Sequence, residues 1–139
     1  MTDIVDRIMA LWLAPPPDDE EATEAFRALY TDPVLINGAP LPATDLVTRM
    51  RMLHGAFTGL RHEILHRVDA SDQVVIAFLM RGTHTGPYRT PLGEVAPTGR
   101  QVAIRTIDIL SFTAGRVSEV AVVADEMGLL TGLGALRLA

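Results

Sequence analysis

The side chains able to do chemistry in this chain are few, and most of them sit at the edges of apolar runs. Asp125 ends the run Val120-Ala-Val-Val-Ala124 and precedes a stretch with Leu129-Leu130, Gly132 and Gly134, the start of a short helix. An Asp before a helix is a standard N-cap. A carboxylate at the rim of an apolar cavity also has its pKa raised by desolvation, toward the range useful for removing a proton next to a carbonyl. His84 closes an alternating run and should point inward, either as a satisfied core histidine or as a partner that orients Asp125 across a cavity. Asp108 shares a face with Val102, Ile104 and Leu110, as a second cavity carboxylate or as an edge or capping residue. Asn37, after Val34-Leu35-Ile36, is either a neutral donor to the pocket or a turn residue before Gly38.

One motif points to different chemistry. His62-Glu63-Ile64-Leu65-His66 matches H-E-x-x-H, in which two His one helical turn apart bind zinc and the Glu activates water. That chemistry needs a helix and a third ligand. Here Asp69-Ala-Ser-Asp72 is a turn between two strand-like runs, so residues 62–68 are predicted as a strand. Its two His then share a face about 13 Å apart, too far for one ion. No metal site and no zinc protease are expected.

The elements that must position these residues come in a clear order. Ile4, Val5, Ile8, Leu11 and Trp12 recur at helical spacing behind Thr2, a candidate cap, and Pro15-Pro16-Pro17 ends that helix. Asp18 or Asp19 caps a second helix with Ala22, Phe26 and Leu29 inward, stopped at Asp32-Pro33. Val34-Leu35-Ile36 is a short strand and Gly38 to Pro42 a loop. Behind Thr44, Leu46, Met50, Leu53 and Phe57 predict a third helix ending at Gly59. In the next long strand Val74, Ile76, Phe78 and Met80 share one face, and residues 85–100 are predicted as a loop. Gln101 to Phe112 and Val117 to Asp125 flank Thr113-Ala-Gly-Arg116 as a long hairpin.

Helices first and strands afterwards predict an α+β fold of one domain over 1–139, with three N-terminal helices packed on a strongly curved, mostly antiparallel sheet and a short C-terminal helix. Such a sheet encloses an apolar pocket, expected to be lined by Phe78, Met80, Ala121 and Val123 with Asn37 at its edge. A net charge of −5 and dispersed Arg residues give no electrostatic footprint for nucleic acid or membrane. There is no Cys for a disulfide or a thiolate zinc site. Without a basic-then-apolar leader or an apolar run near 18 residues, the expectation is a cytoplasmic protein. Both long strands need cover on two faces and one helix layer supplies one, so a homodimer is expected.

Arg81-Gly-Thr-His-Thr-Gly86, Pro97-Thr-Gly-Arg100, Ile107-Asp-Ile109, Gly115-Arg-Val117, Glu119 and Asp125-Glu-Met-Gly-Leu-Leu-Thr-Gly-Leu-Gly134 together resemble the SnoaL-like polyketide cyclases. These belong to the cone-shaped α+β barrel superfamily of nuclear transport factor 2, ketosteroid isomerase and limonene epoxide hydrolase. The resemblance implies that fold. It also implies a catalytic role for Asp125, the position matching the acid/base of an intramolecular aldol ring closure; His84 and Asp108, from their places on the strands, complete the candidate catalytic set. The implied partner is a small hydrophobic carbonyl compound, and no cofactor is needed. Where family members carry Trp and often His between the Glu and Asp of the last strand, this chain has Val120 to Ala124. A larger, smoother cavity is expected, which also suits a noncatalytic binder of small apolar ligands; an epoxide hydrolase or isomerase relative ranks below both.

Overall fold

The computed structural model describes residues 3–138. Helix α1 (Ile4–Leu13) buries Val5, Ile8 and Leu11, and its cap is Asp3, whose carboxylate accepts from Val5 N–H at 2.8 Å. The candidate cap Thr2 lies outside the described residues. Helix α2 (Asp19–Leu29) is capped by Asp18 and places Phe26 edge-on to Trp12, with ring centroids 5.3 Å apart. Strand β1 (Tyr30–Ile36) follows without a loop, four residues earlier than the sequence suggested, and runs through Asp32-Pro33. The Gly38–Pro42 stretch holds a short strand, β2 (Ala39–Leu41), paired back onto β1.

Helix α3 (Ala43–Ala56) differs at both ends from the prediction. Thr44 is inside it, Pro42 occupies the cap position, and the first-turn N–H of Ala43 is taken by Asp32 Oδ1 at 3.0 Å. Phe57 and Gly59 already belong to β3 (Phe57–Asp69), where Phe57 lies opposite His84. Strand β4 (Gln73–His84) alternates buried and half-exposed residues along its length, the period of a strand with one face in the core. The segment predicted as loop carries a separate hairpin of β5 (Tyr88–Thr90) and β6 (Gly93–Val95). The long hairpin is β7 (Gln101–Thr113) and β8 (Arg116–Ala124), turned by Ala114 and Gly115 with φ of 51° and 80°. A final helix, α4, spans Glu126–Gly132.

Six strands form a curved sheet in the order β2-β1-β8-β7-β4-β3, antiparallel throughout except for the parallel pair β1 and β8. The helices lie on its concave side, and one core joins them to the sheet through Phe26, Met50, Phe57, Ile76 and Val117. Among the described residues no helix is long and apolar enough to cross a membrane.

One glycine of the sequence motifs serves this packing. A Cβ on Gly86 would sit 1.8 Å from the carbonyl oxygen of Gly55. That contact lets the N–H groups of Thr85 and Gly86 reach Ala56 O at the end of α3, at 3.1 and 3.0 Å.

Candidate functional site

Register decides which side chains of the sheet enter the concave space. On β7 the inward set is Ile104, Thr106, Asp108 and Leu110; opposite them on β8 stand Ala124 beside Thr106, Val122 beside Asp108, and Val120 beside Leu110. Phe78 and Met80 of β4 and His62 of β3 extend the same surface. Together with residues from α1, α3 and α4 they enclose a cavity of about 290 Å³. Its aromatic walls are Trp12, Tyr30, Phe78 and Tyr88, contributed by the first helix and three different strands. The last strand supplies none, yet the stacking surface is present.

The polar groups in this apolar space are the informative ones. Asp108 is mostly buried, and its Oδ1 has no hydrogen-bond partner. Burial pushes its carboxyl up from 3.8 to about 6. Tyr30 is buried beside it. Its hydroxyl accepts a bond from Trp12 Nε1 at 3.0 Å, which leaves the phenolic hydrogen free to be donated elsewhere. Burial and, more weakly, the charge of Asp108 raise the Tyr30 pKa, so the phenol stays protonated. His62 packs edge-on to Phe78 with ring centroids 5.1 Å apart and its Nδ1 buried without a partner; desolvation lowers its pKa and favours the neutral ring. The arrangement therefore offers one desolvated carboxylate, one phenol donor and one imidazole to a carbonyl compound.

The sequence matches the SnoaL-like polyketide cyclase family over residues 2–133. The chain belongs to that family. Among curated proteins nothing matches it. Solved structures of the same fold include TsrD from Streptomyces laurentii, at 20% identity and TM-score 0.77 over 96% of this chain and 93% of that one. A SnoaL-like polyketide cyclase from Agrobacterium tumefaciens is 18% identical, with TM-score 0.71 over 96% of this chain and 100% of the other. A protein with a ketosteroid isomerase-like fold from Catenulispora acidiphila, in complex with trimethylamine, is 13% identical with TM-score 0.69 over 98% and 95%. At such identities the likeness is one of fold.

Against this SnoaL-like frame the residues singled out from sequence separate into two groups. Asp108, Phe78 and Met80 line the cavity. Asp125 does not. It is exposed, and its Oδ1 accepts from Gly128 N–H at 2.8 Å as the cap of α4. The fit is close enough that a Cβ on Gly128 would lie 2.3 Å from Asp125 Oδ2. His84 is fully buried but is not part of the cavity wall. Its Nδ1 accepts from Thr98 N–H at 3.2 Å and lies 2.9 Å from Thr98 Oγ1, while its backbone pairs with Gly99 and Arg100. Arg100 in turn donates to Gly132 O at 2.9 Å, so the stretches Arg81–Gly86 and Pro97–Arg100 of the family resemblance fasten the sheet to its last helix.

Three expected pocket residues lie elsewhere, and the reasons are geometric. Ala121 and Val123 point to the outer face because the inward residues of β8 are Val120, Val122 and Ala124. Asn37 is an exposed turn residue at φ 48°; its amide donates to Val122 O at 3.1 Å and accepts from Val122 N–H at 2.8 Å, extending the ladder. The H-E-x-x-H pair is also arranged differently from expectation. A bulge between Ile64 and His66 shifts the register by one, so His62 stands opposite Met80 on the inner face and exposed His66 opposite Ala77 on the outer. Among the described residues no three His, Asp or Glu side chains converge on one point.

Cavity groups that sequence reasoning passed over are Trp12, Tyr30, Arg49, Tyr88 and, as a pocket residue, His62. Trp12 and Tyr30 each carry a polar end on an otherwise apolar stripe, which was the available signal.

Proposed function

We propose that the cavity binds a small hydrophobic carbonyl compound and catalyses cofactor-free intramolecular aldol ring closure with Asp108 as the general base. The observation that carries the reading is the partnerless Oδ1 of Asp108 in an apolar cavity. A carboxylate with a pKa of about 6 is ionised near neutral pH yet more basic than an exposed one. It takes the proton between two carbonyls, and the C–H electron pair passes into the enolate. Tyr30, held as a donor, hydrogen-bonds the enolate oxygen. The enolate carbon then attacks a second carbonyl of the same folded molecule, a C–C bond forms, and the new alkoxide recovers the proton from Asp108. Confinement supplies proximity and orientation, so these groups account for the steps.

The same apolar lining also supports a second reading, a noncatalytic binder of small apolar molecules. Turnover of a panel of β-dicarbonyl compounds separates the two. Under the cyclase reading wild type closes at least one of them and Asp108→Asn loses about a hundredfold or more. Binding throughout the panel with no turnover would leave the binder.

The outer face of the sheet supports a further part of the proposal, a homodimer. Val123 is 74% exposed and stands beside Ile107, itself 47% exposed, with Ile109 and Ala121 paired in the next row. A contiguous apolar surface across two central strands is the kind a second copy covers.

A further inference from the structure

Beside the cavity lies a second recess of about 440 Å³, formed by the second half of α3 and the segment Pro87 to Arg89. Arg49, Leu53 and Tyr88 line both spaces, so the recess adjoins the cavity. Its two charged lining residues are both arginines, Arg49 and Arg89, around an apolar floor that includes the half-exposed Met52. The two guanidiniums sit on elements tied to each other, since Thr85 and Gly86 just before β5 hydrogen-bond the end of α3 at Ala56 O. Arg89 pairs with Glu94 at 3.4 Å across the small hairpin, whereas no ion pair among the described residues involves Arg49. Of the carboxylates near this end, Glu94 is the one paired with Arg89, and Glu126 lines the cavity beside Tyr88 and not the recess. In a chain of net charge −5, the recess adjoining an apolar cavity thus presents a free guanidinium fork.

We infer that the occupant is an amphiphilic acid, with its carbonyl-bearing carbon skeleton in the cavity and a carboxylate held at Arg49, Arg89 assisting. The planar fork matches a carboxylate with two parallel hydrogen bonds, and the adjoining apolar walls exclude water from one side of the pair. This inference rests on the cavity as the ligand site and adds the substrate class. It also sets an orientation: the skeleton lies toward Asp108, and the acid stays in the recess. The carboxylate is thereby kept away from Asp108, where a second negative charge would oppose ionisation of the base.

Calorimetric binding of octanoate, methyl octanoate and octyl phosphate tests it, since the three share a tail and differ in the head. At low ionic strength octanoate is expected to bind about tenfold more tightly than its ester, through charge-assisted bonds. Added salt should shrink the difference. Arg49→Gln should abolish the preference and Arg89→Gln reduce it, octanoate falling toward the affinity of the ester in the same variant. Arg105→Gln, which removes an exposed charge from the outward side of β7, should leave the preference intact; an equal loss there would reduce the effect to overall charge and overturn the subsite. Equal binding of octanoate and ester by wild type would also overturn it while leaving the cavity reading in place. Octyl phosphate binding far more tightly than octanoate would assign the recess to phosphate and overturn the carboxylate. Failure of all three to bind would remove the cavity as a ligand site, and the subsite with it.

Discussion

Replacing Asp108 by Asn should make the protein more stable at neutral pH while removing the proposed base. Burial raises this carboxyl from 3.8 to about 6. At about 1.4 kcal/mol per tenfold change in ionisation constant, ionising it in the fold costs up to about 3 kcal/mol more than in the unfolded chain. The pH dependence is the reverse of an ion-paired carboxylate. Because the folded pKa lies above the unfolded one, the penalty is absent below about pH 4, grows between the two values, and is complete above about pH 6. Wild type should therefore gain stability from this group as the pH falls from about 7 to about 4.

Asn keeps the shape and carries no charge, but its amide is also partly desolvated, so the net gain at about pH 8 should be about 1 to 3 kcal/mol. For a domain of this size that is a rise of several degrees in Tm. Urea denaturation of both proteins at pH values from about 4 to 8 measures it directly. The advantage of the variant should be largest at high pH and almost gone near pH 4. Lower stability of the Asn protein at every pH, or a gain independent of pH, would refute the claim that Asp108 is a desolvated carboxylate. The same titration should appear in catalysis as a kcat/KM that rises with pH and levels above about 6.

The remaining expectations concern other parts of the molecule. Asp125→Asn should cost about 1 kcal/mol or less, since Asn caps nearly as well, and should leave turnover within a few-fold of wild type; a hundredfold loss would return the base to Asp125. Gly86→Ala should destabilise by about 3 kcal/mol or more, because the added carbon meets the backbone of Gly55 rather than a side chain able to move; a thermal melt at the wild-type temperature would contradict that contact. The double change Ile107→Arg with Val123→Arg should convert a dimer to a folded monomer in light scattering, and a wild-type monomer at micromolar concentration would remove the proposed dimer.

The fold was legible because its elements are locally consistent. Alternation in β4, helical stripes in α1 to α3 and the Ala114-Gly115 turn each signal their own structure. What was not legible lies where one residue answers to two elements. Phe57 continues the apolar stripe of α3 and also faces His84 across a strand pair, and the pairing wins because it buries Phe57 against β4. The β5–β6 hairpin was hidden by its own turn residues, which read as loop when the strands beside them are three residues long.

The site was legible only as far as strand parity was followed, and β7 and β8 show both outcomes. On β7, Val102, Ile104, Thr106, Asp108 and Leu110 alternate with Gln101, Ala103, Arg105, Ile107, Ile109 and Ser111; Gln101, Arg105 and Ser111 mark the second set as the outside, despite its two Ile, and leave Asp108 within. On β8, Ala121, Val123 and Asp125 fall on one parity, and placing them together in the pocket is internally consistent. Glu119 shares that parity. A charged residue at each end of the set marks it as the outward one, and Val120, Val122 and Ala124, with no polar member, as the inward one. The obscuring element is the irregularity at Ser118. There two residues of β8 answer one of β7, and buried Val117 and Val120 come three apart instead of two. Counted from Val117, every side chain of the last strand lands on the wrong face; counted from Glu119, Asp125 is a helix cap and the carboxylate in the cavity is Asp108.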